Sequence, residues 1–179
     1  VDAQAHPDAA ALVQSLIIDV PDFPKPGILF KDLTPVFQNP EGYAVLIEAF
    51  ASRYRALDVQ AVVAIESRGF LIGAPLAQSL GLGLSLVRKH GKLPRKTFQA
   101  RYALEYGEDH IEMHIDTVQP GMRVVLIDDL LATGGTAGAA LKVLREAQAE
   151  VVEVAFAVEL AALGGRSSLG VPVFSLLQF

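Results

Sequence analysis

Two adjacent carboxylates, Asp128 and Asp129, close the apolar run VVLI, and the turn LLATGGTA follows them directly. A carboxylate is costly to bury unless it is paired or hydrogen bonded, so an acid pair ending a core strand belongs at a wet crevice. Behind it, Gly134 and Gly135 mark a place where backbone bends tightly or comes close to a ligand, and Thr133 and Thr136 add hydroxyls. The helix that starts there presents unpaired N–H groups, a ready anion site. Carboxylates suit ribose hydroxyls or Mg2+, and the loop suits a phosphate. Side by side they specify a sugar phosphate. On the residues alone two plainer readings stay open: aspartates capping a turn, and glycines in an ordinary strand-to-helix connection.

A second concentration of chemistry is RKHGKLPRKTFQAR, residues 88 to 101, which holds six of the chain's 15 Lys and Arg. The chain has 179 residues and a formal net charge of −5, so local positive charge suggests a small polyanion, with a solvated loop as the plainer reading. The acidic balance argues against non-specific duplex binding.

The elements that must position these residues alternate. Helix signals run over residues 8 to 18 and from Pro40 to about Leu57, the second with Asn39 as its cap. VQAVVAIES reads as a buried strand, RGFLIGAPLAQSLG as a turn and a helix stopping near Gly81, and LGLSLVR as a further strand. RVVLIDD, VVEVAFAVEL and VPVFSLL complete the strands, and GGTAGAALKVLREAQAE is a helix with an apolar stripe. Such alternation predicts an α/β domain with a mainly parallel central sheet and helices on both faces. ARYALEYG and HIEMHI read as a hairpin standing apart from that sheet. In PDFPKPGILFKDLTPVFQN there is no clear period, and Phe23, Ile28, Leu29, Phe30 and Phe37 are expected to be buried.

Length fits one domain, and a chain that is 51% hydrophobic and 20% charged is not a disordered one. With no cysteine, a disulfide scaffold and a thiolate metal site are both excluded. VDAQAHPDAA lacks the pattern of a signal peptide and no run is long enough to span a membrane, so a cytoplasmic protein without membrane partners is expected.

VVLIDDLLATGGTA contains neither a Walker A loop nor a dinucleotide fingerprint. It resembles the 5-phosphoribosyl-1-pyrophosphate (PRPP) motif of the type I phosphoribosyltransferases: apolar strand, two acids, Thr/Gly loop. The resemblance is closest to the adenine branch of that family. VPDFPKPGILFKDLTPVF, IESRGFLIGAPLA, LVRKHGKLP, LEYGEDHIEMH, PGMRVVLIDDLLATGGTA and FSLLQF appear in the family's order over residues 20 to 179.

That resemblance implies a type I phosphoribosyltransferase fold in one domain, residues 1 to 179. Residues 1 to 39 would form the N-terminal helix and base-binding segment, and 88 to 115 a mobile catalytic loop and hairpin over the active site. It implies the conversion of adenine and PRPP to AMP and pyrophosphate, with Mg2+, in a homodimer that binds no nucleic acid. Ala132, Thr133, Gly134, Gly135 and Thr136 would hold the 5′-phosphate. Asp128 and Asp129 would face the ribose hydroxyls, and are the candidates for contact to Mg2+, largely through PRPP. Arg68, in a turn where the family commonly has a non-proline cis peptide, would meet pyrophosphate together with Arg88 and Lys92. A surface ion pair is the plainer reading of Arg68. The arginine matching Arg88 reaches a neighbouring subunit in related enzymes. Lys89 and His90 sit where basic residues are common, and Arg95 and Lys96 would lie on the mobile cover. Glu105 would transfer the proton, with Tyr106 beside it. Leu29, Phe30 and Lys31 would hold the adenine, although Lys31 stands where arginine is common and lacks its planar fork.

Two other functions compete: another type I phosphoribosyltransferase, acting on hypoxanthine, guanine, xanthine or orotate, and a non-catalytic regulator that senses PRPP. Enzymes for hypoxanthine, guanine or xanthine typically carry a lysine after the strand VVEVAFAVEL, where this chain has Glu159. A PRPP-sensing regulator that binds nucleic acid needs an added domain or an extended basic face.

Overall fold

Strand β3 (Ala61–Ile65) has every residue buried, because neighbours lie on both of its edges and helices on both of its faces. The computed structural model describes residues 7–103 and 108–179. The chain forms two compact units, one up to Ser52 and one from Arg53 to Phe179.

In the first unit, α1 (Pro7–Leu16) precedes an antiparallel ribbon of β1 (Ile18–Pro21) and β2 (Leu29–Asp32), then α2 (Thr34–Gln38) and α3 (Pro40–Arg55). The final turn of α3 belongs to the second unit. Asn39 caps α3 as its sequence suggests, its Oδ1 accepting the Gly42 N–H at 2.8 Å. The ribbon's loop is closed by Asp22, whose carboxylate accepts the Gly27 N–H at 2.8 Å, and by a cis Phe23–Pro24 bond. The expected burial of this segment does not hold throughout. Phe23 and Leu29 are each 51% exposed and Ile28 is exposed too, while Phe30 and Phe37 are half-buried. A two-stranded ribbon offers too little second layer to cover both faces. Phe23 and Phe30 instead stack edge to face, centroids 5.1 Å apart.

The second unit is a seven-stranded sheet flanked by helices. After β3 come α4 (Arg68–Leu80), β4 (Gly83–Lys89), β5 (Thr97–Ala103), β6 (Glu108–His114), β7 (Arg123–Leu131), α5 (Gly135–Glu146), β8 (Glu150–Glu159), α6 (Gly165–Leu169) and β9 (Val173–Gln178). The strand order is β5-β6-β4-β3-β7-β8-β9. Pairings β4–β3–β7–β8–β9 are all parallel, as predicted.

The hairpin does not stand apart from the sheet. β6 pairs antiparallel with β4 (Arg88↔Glu112, Lys89↔Ile111), and β5 adds beyond it as the edge. Ala100, Ile111 and Met113 place apolar side chains on the face that α5 covers, so joining the sheet buries them.

α4 and α5 lie on opposite faces. Gly73 of α4 meets Ala64 and Val62, whereas the α5 residues Ala137, Ala140, Leu141 and Leu144 cluster with Ala61, Val63, Ile65 and Leu126. Contact on the α4 side is close: a Cβ at Gly73 would lie 2.6 Å from that of Ala64. We expect Gly73→Val to lose about 1–3 kcal/mol through overpacking, read as a lower urea midpoint. An unchanged midpoint would show that this helix–sheet contact can yield.

Candidate active site

β7 carries the acid pair to the carboxyl edge of the sheet, where ligands of open parallel sheets bind. Beyond Leu131 the chain turns at Gly134, whose φ of +86° is a left-handed conformation that side chains rarely adopt, and α5 begins at Gly135. The first N–H groups of α5 have no partner within the helix. They open on a cavity of about 280 Å³ lined by Asp128 and by residues 130–137, with Tyr102 and Phe156 as walls. The two features inferred from sequence, carboxylate and phosphate-type loop, therefore share one cavity.

The first turn of α4 approaches the same strand end. Gly69 makes this possible, since a Cβ there would lie 2.9 Å from the Ile127 carbonyl and 3.0 Å from Asp128 Oδ1. Arg68, one residue earlier, is ion-paired through Nε to Asp129, which is buried. The peptide bond Glu66–Ser67 leading into this turn is cis. Asp128 Oδ1 accepts the Asp129 N–H at 2.9 Å. Burial, then the neighbouring Asp129 carboxylate, push the Asp128 carboxyl well above the usual range, against the opposing pull of that N–H.

Arg88 and Lys92 gather on a residue the sequence reading left out. Glu66 directly follows the end of β3, as Asp128 nears the end of β7; it accepts Arg88 Nε at 2.8 Å and Lys92 Nζ at 3.0 Å. Burial raises its carboxyl, but hydrogen bonds from Lys92 and Arg88 outweigh this and hold it below the usual range. The backbone after Lys89 is tied to a second overlooked acid. Buried Glu112 accepts the N–H groups of Lys92 and Leu93, both at 3.0 Å, and lies 3.4 Å from His90 Nδ1. Arg95 pairs with Asp116. Position could have revealed Glu66, an acid at a strand's carboxyl end. Nothing local marks Glu112 or Tyr102.

The structure thus brings together Arg68, Asp128, Asp129 and Ala132–Thr136, and sets Arg88 and Lys92 around the residue two before Arg68. Leu29, Phe30 and Lys31 lie on β2 in the first unit, where Lys31 Nζ is 2.7 Å from Asp19 Oδ1 across the ribbon. Glu105 and Tyr106 lie outside the described residues.

For Mg2+, no group of three His, Asp or Glu side chains among the described residues could hold an ion alone. Asp129 is engaged by Arg68, and Asp128 offers a carboxylate in the cavity. That donor set fits an ion carried on substrate phosphates and touched by one or two carboxylates, which is how Mg2+ is usually bound.

An open parallel sheet with an acid pair beside a helix-terminal glycine loop defines an α/β protein built to hold a sugar phosphate. The model of the family described as phosphoribosyl transferase domain matches residues 33–170. The adenine phosphoribosyltransferase of Anaeromyxobacter dehalogenans is 51% identical over 168 residues, 93% of this chain and 98% of that one. That of Chloroflexus aurantiacus is 52% identical over 92% of this chain and 96% of its own. Among solved structures, the Saccharomyces cerevisiae adenine phosphoribosyltransferase, complexed with D-2,5-dideoxy-2,5-imino-altritol 1,6-bisphosphate and adenine, superposes with a TM-score of 0.91. It is 40% identical, with 94% of this chain and 98% of that one covered. The Rhodothermus marinus enzyme gives a TM-score of 0.89 at 48% identity, covering 96% and 99%. The chain belongs to the phosphoribosyltransferase family, in its adenine phosphoribosyltransferase branch.

The raised Asp128 carboxyl has a consequence for stability. A carboxyl whose pKa is raised on folding favours the fold at pH below its unfolded value, and that contribution is lost as pH rises toward the folded value. Asp128→Asn keeps an acceptor oxygen for the Asp129 N–H and removes the charge. We expect the ligand-free variant to melt above the wild type at neutral pH, with the gap closing as pH falls through the ordinary carboxylate range. A gap independent of pH would contradict the electrostatic cause.

Proposed function

We propose that the chain transfers the 5-phosphoribosyl group of PRPP to N9 of adenine, releasing pyrophosphate and forming AMP in purine salvage. The observation that carries this reading is the single cavity lined by both Asp128 and the loop Ala132–Thr136 at the start of α5. The loop's N–H groups and hydroxyls hold the 5′-phosphate, and Asp128 and Asp129 take the ribose hydroxyls. Mg2+ would supply charge neutralisation on the pyrophosphate of PRPP when bound.

As the C1–pyrophosphate bond breaks, positive charge develops at C1 and negative charge on the leaving oxygen. Arg68, Arg88 and Lys92 stabilise the departing anion, exchanging their carboxylate partners Asp129 and Glu66 for pyrophosphate oxygens. Adenine N9 forms the new bond to C1 and loses its proton. Glu105, protonated and hydrogen bonded at N7, gives its proton to N7 as the N9 proton leaves to solvent, and takes it back once the bond to C1 has formed. Leu29, Phe30 and Lys31 hold the ring, a role for which the exposed apolar side chains of the ribbon are suited. Arg95 and Lys96 belong to a cover that excludes water from the activated ribose.

Adenine as the base is supported by the relatives' names and by the adenine in the yeast complex. Glu159, at the position where an oxopurine enzyme would follow with lysine, is paired with Arg166. No described helix is long and apolar enough to cross a membrane. A cytoplasmic homodimer completes the proposal; exposed Leu71 and Leu84 of the second unit suit a covered face.

The protein with PRPP and Mg2+ is expected to consume adenine, with AMP and pyrophosphate appearing in equal amounts, and to leave hypoxanthine and guanine unused. Turnover of an oxopurine instead would overturn the base assignment. Glu105→Gln is expected to reduce kcat roughly a hundredfold with little change in either KM, as loss of a general acid would. A wild-type kcat in that variant would remove Glu105 from the chemistry.

A further inference from the structure

The loop Ala132–Thr136 does not hold its shape by its own residues alone. Helix α6 lies behind it, so close that each side of the contact must be glycine. A Cβ at Gly165 would stand 2.2 Å from the Ala132 carbonyl oxygen and 3.0 Å from the Gly134 nitrogen. In return, a Cβ at Gly134 would meet Ser168 Oγ at 2.6 Å and the Gly165 carbonyl at 3.0 Å. Ser168 Oγ is also 3.4 Å from the Thr133 carbonyl.

Five residues cannot anchor themselves, and α6 is fixed from outside. Arg166 grips Glu159 with two guanidinium nitrogens, and its third donates to the Val173 carbonyl at 2.6 Å. Glu159 is buried and accepts further bonds from Ser175 (2.7 Å) and Gln178 (3.2 Å). It is the register partner of Leu131, the last residue of β7 before the loop, and the Leu160 N–H donates to the Leu131 carbonyl at 2.8 Å. On the other side, Leu169 is buried in the core that α5 shares. One ion pair thus joins the helix behind the loop to β8, and the backbone ladder carries that tie to β7, the strand that feeds the loop.

We infer that Glu159 and Arg166 are positioning residues for ribose-phosphate binding: they clamp α6 against the loop, and the Gly165 backbone sets the curvature that aims the loop's N–H groups at the phosphate. This rests on the reading of Ala132–Thr136 as the phosphate site. Donors arranged beforehand need no reorganisation when the ligand arrives, and displacements of an ångström are costly.

The test is calorimetric titration with ribose 5-phosphate, together with KM for PRPP and for adenine and a melting curve. Gly165→Ala and Arg166→Met are expected to weaken ribose 5-phosphate and raise KM for PRPP roughly ten- to hundredfold, leaving KM for adenine unchanged. Arg166→Lys restores the charge without the fork and is expected to recover only part of this. Should Arg166→Met fail to fold, Ser168→Ala decides, a partly solvated residue of α6 whose Oγ faces the loop, with a severalfold weakening expected. Folded variants that bind ribose 5-phosphate as the wild type does, while Gly135→Asp in the loop abolishes binding, would overturn the clamp alone. Tight binding by Gly135→Asp would overturn the phosphate-loop reading and the clamp with it.

Discussion

A strand buried on both faces must surrender its hydrogen-bonding ladder where it leaves the sheet, and the site depends on how β7 does this. Its central residues are sealed between α4 and α5, so nothing polar can be placed there. Within a few residues of Leu131 the chain reverses through Gly134 and exposes the start of α5. The carboxyl edge of the sheet is therefore the place where acid side chains, peptide N–H groups and solvent can coexist. Asp128 and Asp129 stand at that edge on β7, and Glu66 directly follows β3, the parallel strand beside it.

Charge compensation is the second constraint. Asp129, Glu66, Glu112 and Glu159 are largely buried carboxylates, and each is matched by cations or peptide N–H groups. Burial that partners do not outweigh pushes such groups toward the neutral form, as it does at Asp128 beside the Asp129 carboxylate. The cations that the proposed mechanism needs for pyrophosphate are thus held in place by the protein's own anions. In that mechanism ligand phosphate would exchange one set of charges for another instead of meeting bare ones. Glu159 belongs to the same pattern but serves the frame, joining β8, β9 and α6 through Arg166.

Much of this was legible beforehand. The alternation of β3, α4, β4, β7, α5, β8 and β9 followed from apolar runs and helical stripes, since burial on both faces leaves few alternatives for such strands. The acid pair and the glycine loop were legible because a carboxylate closing a core strand needs a partner or solvent, and paired glycines allow a tight turn or close approach. The placement of β5 and β6 was not, because a hairpin's alternation is the same whether its edge is solvated or paired with β4. The exposure of Phe23 and Leu29 was equally hidden, as apolar type signals a wish for burial and not the presence of a second layer.

By itself the sequence determined the class of fold, the phosphate-type loop and the family, each of which depends on residues adjacent in the chain. Tertiary structure decided which partners those residues take. That Arg68 meets Asp129, that Glu66 collects Arg88 and Lys92, and that Gly165 backs onto Ala132 join positions from about twenty to sixty apart along the chain. Local periodicity carries no record of such pairings, because they follow from the order in which strands are laid side by side.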